Sequence, residues 1–248
     1  MIPADVAFAL LINRTTDYYK AHQPLYMTYT ERTQMSAPSM GRSQNINRSV
    51  SVRVADDLAV MKDLPNGGER TGQAFPIIAE WDPFSVFSLG WFANLKRVDV
   101  DLKRGEPIVL PTPEPDPTVN MVVPYNSYWA ARYAPDSSDD ALHLLIDPSP
   151  RASGSFYPAE VVEDPQTQLP SRIVMKISGN DTTIALDFKV IDGYWVIVHG
   201  VWSSTQHALV YTAKVVFDTS FDDITFSQAA PDPRLAGTPT PSPEPSPT

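Results

Sequence analysis

The chain contains no cysteine. Disulfides, thiolate nucleophiles, thiolate metal sites and acylation at a lipobox cysteine are therefore excluded within these 248 residues. Cationic residues are also scarce. Lys and Arg total 19 against 29 Asp and Glu, a net charge of −10 with an isoelectric point near 4.7. A nucleic-acid binder carries a basic face or stripe; none is visible, so nucleic acid is not an expected partner. A third absence is any apolar run of the roughly 20 residues that a membrane-spanning helix needs, so no integral membrane segment is expected. The opening MIPADVAFALLINRTTDYYK has a short apolar centre, but it lacks a basic n-region and a small-residue cleavage pattern, and Asp5 interrupts it. It makes a poor signal peptide. No H-E-x-x-H, P-loop, dinucleotide fingerprint or G-x-S-x-G occurs. No catalytic residue, metal site or cofactor is expected.

What the chain does have is a large apolar fraction, 42%, enough for one sizeable core. Its apolar residues are patterned. Residues 4–20 place Phe8, Leu11, Ile12, Thr15 and Tyr19 at helical spacing, and Pro24 stops that helix. Period-2 alternation follows in Leu25, Met27 and Tyr29, then in Ile46, Arg48, Val50, Val52 and Val54. A tight turn at 55–57 leads into LAVMK, and LPNGGERTG supplies an Asn-Gly hairpin turn. The segment WDPFSVFSLGWFANLK starts with Asp82 as N-cap and Pro83 at the first helical position. It predicts a second, unusually apolar helix carrying Phe84, Phe87 and Trp91. Alternation returns in RVDVDLKRGE. The proline-dense residues 107–124 then predict an extended surface loop, because proline cannot donate to a ladder.

The second half reads as a meander. Strands are expected at ALHLLIDPSP and SFYPAEVVE, a turn at 164–168, then a strand with Ile173, Met175 and Ile177 on one face. SGNDT turns the chain into a strand with Ile184, Leu186, Phe188 and Val190 on one face. Asp192-Gly193 makes the next tight turn. Residues 194–201 are apolar on both faces, with Trp195, Ile197 and Val201 assigned to one side. Strands at 209–217 and 224–226 close the series. From residue 231 the sequence PDPRLAGTPTPSPEPSPT has no periodicity and few apolar residues, so a disordered tail is expected over 231–248. The expected architecture is a single α+β domain over residues 1–230: a large curved antiparallel sheet, an unclosed half-barrel, wrapped over the N-terminal helix and the central helix.

The string AEVVEDPQTQLPSRIVMKIS, followed by TTIALDFKVIDGYWVIVHGVWSS, resembles the second half of the outer-membrane lipoprotein-sorting (LolA-like) proteins. The matching positions are the acidic turn Asp164, Thr167 and Pro170, and then Phe188, Asp192, Gly193 and Trp195. The helix ahead of YMTYTERTQM and the ending YTAKVVFDTSFDDITFSQAAPDPRL are similar to the start and close of that group. The proline-rich insertion and the tail depart from the compact carrier. The resemblance implies a half-barrel whose apolar concavity holds acyl chains, outside the cytoplasm in the periplasm or cell envelope, with a leader removed ahead of Met1; a cytoplasmic location is the alternative.

The expected ligand site is the apolar concavity: Met27, Tyr29, Val52, Val54, Phe84, Phe87, Trp91, Ile173, Met175, Ile177, Ile184, Leu186, Phe188, Trp195 and Ile197. Its expected occupant is the acyl chain of a lipid or lipoprotein, and the protein is expected to be a monomer and not an enzyme. The same side chains would serve equally as an ordinary core packed on Phe84, Phe87 and Trp91; only an enclosed volume separates the two readings. The alternative function is an envelope protein-interaction or sensor module of the same fold with no lipid cargo. An enzyme in the concavity would draw on Asp187 and His199, but no nucleophile constellation accompanies them. His199 and His207 suggest a metal site only weakly. The doublets Asp56-Asp57, Asp139-Asp140 and Asp222-Asp223 fall at expected turns or strand starts, where aspartate is favoured locally. The sequons at Asn13, Asn47 and Asn180 are at chance level.

Overall fold

Alternation is carried through almost every strand of a computed structural model, which describes residues 2–56, 58–73, 98–101, 106–109, 129–148, 156–177, 181–208 and 211–237. The chain opens with helix α1 (Ala4–Ala21). Strands β1 (Tyr26–Ala37), β2 (Arg42–Arg53), β3 (Leu58–Asp63) and β4 (Glu69–Gln73) follow. A separate two-stranded hairpin is formed by β5 (Val98–Asp101) and β6 (Glu106–Val109). Then come β7 (Trp129–Tyr133), β8 (His143–Pro148), β9 (Phe156–Glu163), β10 (Pro170–Ile177), β11 (Thr183–Ile191), β12 (Tyr194–Ala208) and β13 (Tyr211–Ser227).

Eleven of these strands make one antiparallel sheet in the order β4-β3-β2-β1-β13-β12-β11-β10-β9-β8-β7. The first and last strands, β4 and β7, do not pair, so the sheet stays open: an unclosed half-barrel. The last strand, β13, inserts between β1 and β12 and joins the two halves. On β1 the burial follows the pleat: Met27, Tyr29, Glu31 and Thr33 are buried, while Arg32 and Gln34 are exposed.

Helix α1 supplies the second layer. Phe8, Leu11 and Ile12 join one continuous cluster with Met27, Tyr29, Val52, Ile173, Met175, Leu186, Trp195 and Ile197. Burying each such side chain contributes roughly 1.5–3 kcal/mol. Polar ties fix the helix against the sheet. Arg14 pairs with the buried carboxylate of Glu163, Tyr18 Oη donates to the Gly193 carbonyl at 2.9 Å, and Asp5 Oδ1 accepts from the Ala131 amide at 2.6 Å.

Several expectations are corrected. The strands expected at 209–217 and 224–226 are one strand, β13, kinked by a bulge where Asp223 adopts φ 55°. Strand β12 runs on to Ala208, well past the 194–201 expected for it. A bulge in the β11–β12 pairing, where Asp187 faces His199 but Phe188 faces Ile197, switches the faces of β12. Trp195 and Ile197 therefore share the concave face with Gly200 and Trp202, and Val201 does not. Pro107 is not in a loop: it faces Val100 in the β5–β6 hairpin, an edge position where no N–H is required. Residues 231–237 are not a free tail. They form a 3-10 turn, Pro233–Leu235, with Leu235 fully buried. The expected central helix, with Phe84, Phe87 and Trp91, and residues 110–124 of the proline-rich segment lie outside the described residues.

Candidate ligand site on the concave face

Beyond the part of the concave face covered by α1, three cross-strand rows frame a hollow. The first row runs Arg48, Glu31, Phe221 across β2, β1 and β13. The second runs Ile46, Thr33, Thr219, Gly200, Leu186 from β2 to β11. The third includes Phe217, Trp202 and Ile184. The middle row holds small side chains where the rows on either side hold aromatics. That difference leaves a void of about 220 Å³ lined mainly by apolar atoms. Gly200 is the critical small residue: a Cβ there would sit 3.3 Å from Leu186 Cδ2. Trp202 and Phe217 stack with centroids 4.9 Å apart and stay half-buried, forming the rim with Ile46.

The volume decides what fits. A dry cavity of about 150 Å³ accepts benzene, whereas pockets for whole drug-sized ligands span roughly 300–1,000 Å³. The hollow has the volume of a segment of one hydrocarbon chain. A wider depression of about 650 Å³ beside α1, between Arg14, Tyr133 and Asp140, is more polar and more open.

One wall of the hollow is ionic. Arg48 Nη2 donates to Glu31 Oε1 at 3.1 Å, and Arg48 Nε lies 2.9 Å from Oε2. The two side chains are only 13% and 8% exposed. Thr33 Oγ1 donates to Glu31 Oε1 at 3.1 Å and shares a 2.9 Å hydrogen bond with the Thr219 hydroxyl. In the next row Tyr29 packs edge-on against Phe221, and its buried hydroxyl has no hydrogen-bond partner among the described residues. Burial, and secondarily the Glu31 carboxylate, push the Tyr29 pKa well above its ordinary value, so the hydroxyl remains a donor.

Of the expected site residues, Ile184 and Leu186 line the hollow. Met27, Tyr29, Val52, Ile173, Met175, Phe188, Trp195 and Ile197 are buried in the cluster that α1 covers, and Val54 packs half-buried against it. Ile177 ends β10, and its side chain lies outside the described residues, as do Phe84, Phe87 and Trp91. Sequence reading missed Glu31, Thr33, Trp202, Phe217, Thr219 and Phe221. Their signal was present: all sit in alternating strands, but three strands distant in sequence had to be superposed to see the row of small residues.

The motif that carried the resemblance assembles physically. Asp164 Oδ1 accepts from the amides of Gln166 and Thr167 at 2.7 and 3.3 Å, shaping the acidic turn. Trp195 Nε1 donates to the Pro170 carbonyl at 2.8 Å, and its ring stacks on Phe188 at 4.3 Å. His199 lies on the convex face between Asp187 and Asp218, at 2.9 Å from each. Among the described residues no group of three or more His, Asp or Glu side chains is arranged so that it could hold a metal ion.

No family model matches the chain, and no curated protein matches it. Solved structures are similar in outline. A LolA-superfamily protein from Nitrosomonas europaea is 11% identical, covering 93% of this chain and 97% of its own, with a TM-score of 0.39. A DUF1329-family protein from Desulfovibrio piger is 8% identical over 92% and 95%, with a TM-score of 0.42. A structure named as an outer membrane lipoprotein-sorting protein domain, from Vibrio parahaemolyticus, is 10% identical over 93% and 97%, with a TM-score of 0.43.

Proposed function

We propose that this chain is a non-enzymatic, extracytoplasmic binding protein that takes an acyl chain of a lipid or lipoprotein into the concave hollow. The observation that carries the reading is the 220 Å³ apolar void with a half-buried aromatic rim. Apolar surface kept open to solvent costs free energy unless something occupies it. Magnitudes limit the claim. Burying about five methylenes contributes roughly 4 kcal/mol, the equivalent of millimolar affinity before ordering costs. Tighter binding requires more of the chain to lie along Ile46, Trp202 and Phe217.

The test is displacement of a neutral naphthylamine dye by 1-decanol, together with native mass spectrometry of the purified protein. Dye uptake that decanol reverses is the expected result. Gly200→Val, which fills the middle row, and Ile46→Trp, which narrows the rim, are expected to weaken uptake at least about tenfold. Absence of uptake, or uptake unchanged in both variants while they remain folded, overturns the proposal.

A further inference from the structure

We infer that the Arg48–Glu31 pair is a charge filter that restricts the hollow to amphiphiles with uncharged head groups and rejects fatty-acid anions. The inference rests on the acyl-binding reading above and adds the ligand's head-group class.

Among the described residues two charges face the hollow, Glu31 and Arg48, and they neutralise each other through two short contacts. Arg48 therefore offers no free cation to a carboxylate. Glu31, the more buried of the two, would face an entering anion across a medium that screens it poorly. Thr33 is committed as well, donating to Glu31 and sharing a hydrogen bond with Thr219. Beyond Arg48, toward the sheet edge, the next charges again come as one of each sign. Asp63 stands opposite Arg48 in the β2–β3 ladder, and Arg70 stands opposite Met61 in the β3–β4 ladder. The net charge of −10 adds a repulsive background for anions.

A neutral ester, amide or alcohol meets none of these penalties. The polar basin at the open edge of β2, between Gln44, Asn45, Asn47, Asp63 and Arg70, shares Ile46 and Arg48 with the hollow. It supplies amide donors and acceptors that suit an uncharged head. A chain in the hollow thus places its head among side-chain amides, with Asp63 and Arg70 adding one charge of each sign at the outer side of the basin. An isolated anion brought to this wall loses hydration without gaining a counter-charge.

The experiment compares 1-decanol, methyl decanoate and decanoate at pH 8, each displacing the neutral naphthylamine dye from the full chain below micellar concentrations. The two neutral ligands are expected to compete at least about tenfold better than decanoate. In Glu31→Gln, Arg48 is freed to pair with the ligand, and decanoate is expected to gain at least about tenfold while decanol changes little. Circular dichroism checks that this variant folds; if it does not, the comparison on the native chain decides by itself. Decanoate binding as well as or better than decanol to the native chain overturns the filter and leaves the binding function standing. Displacement by none of the three removes both.

Discussion

Arg53 on β2 donates from Nη1 to the Leu235 carbonyl, 182 positions later in the chain, at 2.9 Å. The same guanidinium also donates to the Gly237 carbonyl, and its Nε and Nη2 hold both oxygens of Asp56 at 2.7 and 2.6 Å. Leu235 is fully buried, and Arg234 reaches Glu69 on β4 at 3.0 Å. The C-terminal segment is thereby strapped to the β3–β4 edge of the sheet. Replacing Arg53 by Met takes this donor away from a buried carbonyl, a part-buried one and the Asp56 carboxylate. The expected loss is about 2–4 kcal/mol in urea denaturation. Leu235→Ala is expected to cost about 2–4 kcal/mol through the cavity it leaves. Changes below about 0.5 kcal/mol in both would show that the strap is not held in solution.

His199 predicts a pH dependence. Partial burial pulls its pKa down, but hydrogen bonds to Asp187 and Asp218 outweigh that and the net shift is upward. A raised folded-state pKa contributes stability that is fully present below about 6.5, the unfolded value, and is lost as pH rises through the folded value. Native protein should therefore lose stability as the pH rises from about 6.5 through the folded value, relative to His199→Gln, in which this contribution is absent. An NMR titration should place the imidazole midpoint above 6.5. A midpoint below that value contradicts the bridging geometry. Asp187 is also held by Arg172 at 2.7 Å, so the effect should be modest and sensitive to salt.

The Asp192-Gly193 turn makes a third prediction. Both residues have positive φ, 51° and 82°, the signature of the mirror-image turn that suits a two-residue hairpin. Gly193 tolerates this without a Cβ penalty. Gly193→Ala is expected to cost about 1–2 kcal/mol. Tyr18→Phe removes the hydrogen bond from α1 to the Gly193 carbonyl and is expected to cost about 1 kcal/mol. Equal stability of Gly193→Ala and the native chain would contradict the left-handed conformation.

These elements differ in how well they could be read. Met27, Tyr29, Val50 and Val52 alternate without interruption, so their strands and inward face follow from the pleat alone. The acidic turn at Asp164 and the Asp192-Gly193 turn carry local conformational preferences that no tertiary contact needs to supply. The bulges were not legible. Val198 and Asp223 are ordinary strand residues in sequence, yet each displaces its ladder by one residue and reverses which side chains face inward. Leu235 escaped for another reason: it stands alone in a proline-rich segment, and one apolar residue has no period. Its partner, Arg53, looks like any surface arginine until the strand ends meet. The site was only half visible. Ile184 and Leu186 were named from alternation, but the same rule also named Ile173, Met175 and Trp195, which α1 covers.

The residue pattern by itself determined the strand-rich architecture, the N-terminal helix and the principal turns, because periodicity and turn chemistry act over a few neighbours. The tertiary structure decided where the concave face is filled and where it is hollow, because void volume depends on side chains from β1, β2, β11, β12 and β13 standing in one row. It also decided that Glu31 and Arg48 neutralise each other, because register, not sequence distance, sets which charges share a low-dielectric wall.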